Sequence, residues 1–218
     1  MASTPLPQLP ASHADLVKYV SKHPDAPLTE LIEPYRKYEA HLRRMFAQEP
    51  DAEPLKDPHV NVLPLFNQDT PSITVRARDP SSESEEEKAR YIMPLPDNMR
   101  RPSGSPAVVQ SLKEFKRNFN VFSESSLIEL DWANVVASGS SVVNCLLPVP
   151  KKYSATKRGL REFYHEKFSP ASDVDLFLYG LTEEEAVEKI KEIETKVRDA
   201  LLTETTTVRT KHAITICK

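Results

Sequence analysis

Proline separates this 218-residue chain into two parts of different character: of its 19 prolines, only Pro148, Pro150 and Pro170 lie after Pro106. Because proline has no backbone N–H and a fixed φ, the first part cannot form a densely hydrogen-bonded sheet. It can still form helices, since proline is tolerated in a first helical turn. The sequence therefore predicts helices and irregular chain first, and a core that contains strands after about residue 105.

The chain is expected to divide into three regions, within the one or two domains that its length allows. Residues 1–48 are predicted to be an N-terminal helical segment, whose longer helix begins at about Pro34. Residues 49–104 are expected to form a proline-rich, acidic linker or arm. Within that arm, residues 81–87 are rich in Ser and Glu, which is typical of a solvated loop and also of a phosphorylated one. Residues 105–218 are predicted to form the core.

Charge and composition argue against several classes of protein. Lys and Arg total 29 and Asp and Glu total 32, and the resulting net charge of −3 does not favour a dedicated nucleic-acid binder, although it does not exclude one. Cys145 and Cys217 match neither a zinc site nor a disulfide framework, so both are expected to be reduced. The uncharged stretch 132–150 contains prolines and polar residues, which favours a core over a membrane span. With no signal-peptide pattern at its start, the chain is expected to be intracellular, cytoplasmic or nuclear, with no membrane partner.

The core is predicted to be of the α/β (α+β) class, with a mixed sheet and flanking helices. Its predicted elements, in chain order, are a helix beginning at Ser105-Pro106, a strand at 134–137, a Gly-Ser turn at 139–141, a helix ending at Pro148, a basic segment at 151–168, a buried strand at 172–180, a helix opened by the capping box of Thr182 and Glu185, and an amphipathic strand at 206–217. The basic segment is typical of a solvated loop, with a nucleotide or nucleic-acid contact as the alternative.

Asp173 and Asp175 are the first candidate functional residues. They are two positions apart on the predicted buried strand, so their side chains are expected on the same face. Two neighbouring carboxylates repel each other, and burying them without a cation is unfavourable. Mg²⁺ is the natural companion, because it takes oxygen ligands and bridges protein carboxylates to substrate phosphates. The alternative is that the two aspartates begin an exposed strand end or accept amides from a nearby turn.

The turn at Gly139, Ser140 and Ser141 is the second candidate feature. It opens a helix, where free backbone amides can hold a phosphate, and glycine lets the backbone approach the phosphate oxygens closely. The alternative is a tight turn between a strand and a helix, in which Ser140 is only a cap. A phosphate-binding turn together with metal-binding carboxylates is typical of an active site for nucleotidyl transfer.

The Gly139-Ser140 turn after a strand, followed by Asp173-x-Asp175 on the next strand, resembles the polymerase-beta-type nucleotidyltransferase fold. A wider similarity, over roughly 132–216, is to fungal proteins that place such a module ahead of ankyrin repeats, and it includes the strings VVASGSSVVNCLLPVP and SDVDLFLYGLTEEEAVEKI. The resemblance implies that Asp173 and Asp175 are catalytic and hold Mg²⁺. It also implies that Gly139, Ser140 and Ser141 hold the triphosphate of a nucleoside triphosphate.

This chain departs from the family pattern in three ways. The gap between Gly139 and Asp173 is longer than in compact members of the fold, no acidic residue follows Glu204 to supply a third carboxylate, and no ankyrin repeat is present. We therefore expect a chain truncated at its C-terminus, with weak or no activity. The alternative is a non-catalytic interaction or scaffold module that keeps the nucleotidyltransferase shape and has protein partners.

Overall fold

The computed structural model describes residues 13–23, 26–57, 59–60, 62, 64–79, 81–90, 100–171 and 173–218. The chain divides into two compact units, residues 1–110 and 111–218. Residues 1–12 of the expected helical segment, 91–99 of the expected arm, and Ser172 of the expected strand lie outside the described residues.

The first unit is helical where it is regular. Helix α1 spans His13–Lys22 and helix α2 spans Leu28–Gln48, followed by single 3₁₀ turns at Glu53–Lys56 and Thr70–Ser72. The prediction that the longer helix begins at Pro34 was wrong, because α2 begins six residues earlier and Pro34 lies inside it. A proline near the start removes only one backbone hydrogen bond, and the apolar stripe that ends in the buried Leu42 and Met45 keeps the helix continuous.

A short helix, α3, spans Glu85–Ala89, where the sequence favoured a solvated loop. Ser84 and Glu87 form a capping box: the Ser84 hydroxyl accepts from the Glu87 amide, and the Ser84 amide donates to the Glu87 carboxylate at 2.9 Å. These reciprocal bonds satisfy first-turn groups and start a helix in a run that composition alone predicts to be irregular. Phosphorylation of this segment stays a prediction.

The second unit is of the α+β class, as expected. Its elements, in chain order, are α4 (Leu112–Phe122), β1 (Val135–Ser138), α5 (Ser140–Leu146), α6 (Lys151–Ser154), α7 (Lys157–Glu162), a π-helical turn (Phe163–Phe168), β2 (Asp175–Leu178), α8 (Glu183–Leu201), β3 (Thr206–Arg209) and β4 (Ile214–Cys217). Strands β1 and β2 pair antiparallel, and β3 and β4 form a second antiparallel pair.

Three expected elements differ in this unit. Helix α4 begins at Leu112 after the cap Ser111, not at Ser105-Pro106, because the Ser111 hydroxyl accepts from an amide of the first turn. The basic segment, expected to be a loop, is helical. Its helix α7 begins after Thr156, whose hydroxyl accepts from the Gly159 amide. The strand expected at 206–217 is a hairpin, because the Thr210 amide and hydroxyl both donate to the carbonyl of Ala213 and reverse the chain.

The sheet also differs from the expected one. Within the described part of the chain, each sheet has two antiparallel strands, and no mixed sheet joins them. The prediction of a mixed sheet was therefore wrong for the described residues, and the nucleotidyltransferase core stays a prediction. None of the helices in the described ranges has the length and apolar character needed to cross a bilayer.

Two groups of buried side chains form the core of the second unit. One joins α4, α5, α7 and the π-helical turn through Val121, Phe122, Cys145, Leu160 and Tyr164. The other joins β1 to α8 through Leu127, Leu130, Val135 and Ile193. Burial raises the pKa of the Cys145 thiol to about 12, so this cysteine is a protonated core side chain at neutral pH.

Candidate functional site

The candidate site lies on the antiparallel pair of β1 and β2. In the register of this pair, Ser138 is opposite Asp175 and Val136 is opposite Phe177. The end of β1, from which the chain turns into α5, is therefore next to the start of β2. This register brings residues about 36 positions apart in the sequence to one corner, Gly139 and Asp175 among them.

The two faces of β2 have different surroundings. Leu176 and Leu178 face the core, where they pack against the group that contains Leu127, Leu130, Val135 and Ile193. Asp175 and Phe177 are exposed on the opposite face. The alternation extends back before the strand, since Asp173 is exposed and Val174 packs on both core groups. Asp173 and Asp175 are thus both exposed, and β2 begins at Asp175 and not at the predicted residue 172. This is the exposed strand end that the sequence offered as the alternative to a buried carboxylate pair.

Gly139 is in contact with Asp175. A Cβ added to Gly139 would lie 2.5 Å from Asp175 Oδ2, a separation that real Cβ atoms do not show. The backbone of Gly139 has φ +77° and ψ −156°, a region that is nearly restricted to glycine. Both the close approach and the dihedral angles therefore require glycine here, and the carboxylate lies directly against the turn.

Ser140 and Ser141 occupy the first turn of α5 and have different surroundings. Ser141 is fully buried, and its hydroxyl donates to the carbonyl of Ser138 at 3.2 Å, which ties the turn to the end of β1. Ser140 is exposed. No side chain caps the start of α5, because the residue at its N-cap is Gly139. The turn therefore presents backbone amides without a side-chain acceptor.

The carboxylates of Asp173 and Asp175 have no hydrogen-bond or salt-bridge partner among the residues that the structure describes. The same residues contain no group of three or more His, Cys, Asp or Glu side chains that could hold a metal ion. Two carboxylates are still enough for Mg²⁺, which is often bound by one or two of them together with waters and substrate phosphates. The carboxylate oxygens at this corner are of the type that Mg²⁺ takes as ligands.

Comparisons of the chain with protein-family models, with curated proteins and with solved structures find no match. Its function is therefore inferred from its own residues.

A second hydrogen bond connects α5 to the chain that leads into β2. The Asn144 amide donates to the Ser169 hydroxyl at 2.8 Å, and both side chains are partly buried. The basic segment thus returns to α5 before Asp173 and Asp175 begin. This bond ties the end of the basic segment to α5.

Sequence reasoning missed the aromatic part of the open face. Phe177 and Tyr179 follow Asp175 at alternate positions, and both are exposed. The sequence treated them as part of a buried strand, because apolar residues run continuously from Leu176 to Tyr179. The alternation of side chains along a strand could have predicted this exposure. If Asp173 and Asp175 face solvent, the next two odd-numbered residues, Phe177 and Tyr179, do so as well.

Proposed function

We propose that residues 111–218 form a Mg²⁺-dependent, nucleotidyltransferase-like module that binds a nucleoside triphosphate at the corner of Gly139 and Asp175. One observation carries this proposal: the contact between the Gly139 backbone and the Asp175 carboxylate. A carboxylate facing a turn with uncapped amides repels a phosphate unless a cation lies between them. A divalent cation bound to the carboxylate, together with a phosphorylated ligand bound to the amides, therefore satisfies both groups at this corner.

Each residue has a separate part in this proposal. Asp173 and Asp175 would hold Mg²⁺, which would stabilise negative charge on the phosphate oxygens. Gly139 leaves room for the Asp175 carboxylate, and the Ser140 amide would donate to the ligand's oxygens. Ser141 keeps the turn in place through its bond to the Ser138 carbonyl. In the reaction, an acceptor hydroxyl attacks the α-phosphorus and gives its proton to solvent water. The bond from that phosphorus to the bridging oxygen breaks, and pyrophosphate leaves. We expect nucleotide binding to be easier to detect than turnover, because the corner has only two carboxylates in the described part of the chain.

A scaffold module that keeps this shape and binds a protein partner is the second candidate. The exposed apolar side chains of Val136 and Phe177, which are opposite each other on β1 and β2, favour it. An unpartnered apolar surface on a folded domain often marks an interaction site. A position ahead of ankyrin repeats in a longer protein would fit this candidate as well.

The two candidates predict different responses to Asp175→Asn. Under the first, ATP binding by the full chain requires Mg²⁺ and weakens about tenfold or more in the variant, because a metal ligand is lost. Isothermal titration of ATP, in Mg²⁺ and in EDTA, measures both effects. Glu188→Gln on α8 is the matched control, because it removes one exposed carboxylate elsewhere and should leave binding unchanged.

Equal ATP binding in Mg²⁺ and in EDTA would contradict the nucleotidyltransferase proposal. So would an Asp175→Asn variant that binds Mg²⁺-ATP as tightly as the natural chain. If that variant only melts at a higher temperature, the two carboxylates merely repel each other, and the scaffold candidate is favoured.

A further inference from the structure

The open face of the β1–β2 pair continues from the acidic corner into an apolar surface, which we call the aromatic platform. It consists of Val136, Phe177 and Tyr179, whose side chains are 47%, 58% and 45% exposed. Phe177 and Tyr179 share the face of Asp175 by alternation, and Val136 is the cross-strand partner of Phe177. The platform and the Gly139–Asp175 corner therefore form one continuous surface.

Hydrogen bonds beyond the end of β2 fix the far end of the platform. The Tyr179 amide donates to the Asn134 carbonyl at 3.2 Å, and the Asn134 side-chain amide donates to the Tyr179 carbonyl at 3.1 Å. Gly180 follows with φ +66°, and a Cβ there would lie 3.3 Å from the Asn134 side-chain nitrogen. The backbone of Tyr179 is thus held from two sides, so the aromatic residues project from an anchored strand.

The spacing of the platform matches the length of a nucleotide. Residues two apart on a strand are separated by about 7 Å, so Phe177 is about 7 Å and Tyr179 about 14 Å along β2 from Asp175. A nucleoside triphosphate whose phosphates lie at the corner extends its sugar and base over a distance of this order. Its base would then lie above the ring of Phe177 or Tyr179.

We infer that the aromatic platform stacks the base of the nucleoside triphosphate bound at the corner, an inference that rests on the proposed function. Flat π-surfaces pair with aromatic rings, and any of the common bases can stack in this way. The aromatic chemistry and the continuity with the corner favour a base as the occupant.

The test separates stacking from phosphate binding. In the double variant Phe177→Ala, Tyr179→Ala, the affinity for Mg²⁺-ATP should fall about tenfold, the scale of one lost base–aromatic stack. The affinity for Mg²⁺-tripolyphosphate, which has no base, should not change. Phe177→Leu keeps an apolar side chain without a flat ring, and it should lose part of the ATP affinity. Val187→Ala on α8 removes an equally exposed apolar side chain and is the control.

Different results would overturn different parts of the account. An unchanged ATP affinity in the double variant, with Asp175→Asn still defective, removes the platform and leaves the proposed function intact. An equal loss for ATP and tripolyphosphate shows that the rings only support the fold, and it also overturns the inference. If the natural chain binds no ATP, the proposed function fails. The platform is then tested separately by adding adenosine without metal and recording the ring signals of Phe177 and Tyr179 in nuclear magnetic resonance spectra. Ring signals that do not shift would overturn the stacking inference. Dimerisation that is lost in the double variant assigns the face to a second copy and likewise rejects it.

Discussion

Gly139→Ala is expected to destabilise the second unit by about 1–3 kcal/mol, the usual range for a residue forced into a sparsely populated backbone region. The new Cβ would also lie 2.5 Å from Asp175 Oδ2, so the carboxylate must move. Mg²⁺-dependent ATP binding should be lost with it, because the variant changes both the turn and the metal ligand. Urea unfolding measures the first effect and isothermal titration the second.

Two further variants separate backbone strain from the contact with Asp175. Gly104→Ala, in the first unit, has nearly the same φ, +79°, with nothing within 4 Å of the added Cβ. It should destabilise that unit through strain alone and leave ATP binding unchanged. In the Gly139→Ala background, Asp175→Ala removes the atom in contact and should recover part of the lost stability. Purely additive effects of Gly139→Ala and Asp175→Ala would contradict the close contact at this corner.

Leu160→Ala is expected to lower the free energy of unfolding of the second unit by about 2–5 kcal/mol, the range for a large core side chain cut to alanine. Leu160 is 1% exposed and lies on α7 among Val121, Phe122, Cys145 and Tyr164. The cavity would lie between α4, α5 and α7, so it weakens the packing that supports the Gly139 turn. The measurement is urea unfolding followed by circular dichroism.

Leu202→Ala is the matched control for that loss. Leu202 is 91% exposed and comes directly after α8, so its truncation should change the free energy of unfolding by no more than about 0.5 kcal/mol. Similar losses in the two variants would show that α7 does not pack as described here.

The local features of the second unit could be predicted from the sequence because they depend on a few neighbouring residues. The Gly139 turn follows from a glycine between an apolar strand and a helix, and the start of α8 follows from the capping box of Thr182 and Glu185, which the structure confirms. The α+β class follows from the same local signals. The start of α3, which the sequence analysis missed, depends on a capping box of the same kind within a run of acidic residues.

Features that depend on distant contacts could not be predicted in this way. The register that places Ser138 opposite Asp175 depends on which residues of β1 and β2 meet, and the sequence does not specify it locally. The hairpin of β3 and β4 is a similar case, because one amphipathic pattern fits both a long strand and two short ones. The exposure of Phe177 depends on the absence of a covering element on that face in the described chain, which no local pattern predicts.

Paramagnetic broadening by Mn²⁺ tests the central claim most directly, namely that the Gly139 turn and the two aspartates share one divalent-ion site. Mn²⁺ replaces Mg²⁺ at oxygen-ligand sites and broadens the amide signals of nearby residues. With the ¹⁵N-labelled full chain and a non-hydrolysable nucleoside triphosphate, the signals of Gly139, Ser140, Asp173 and Asp175 should broaden first and at the lowest Mn²⁺ concentration. Broadening that begins instead at Glu183, Glu184 and Glu185 in the first turn of α8, or that is uniform along the chain, would contradict a shared site at this corner.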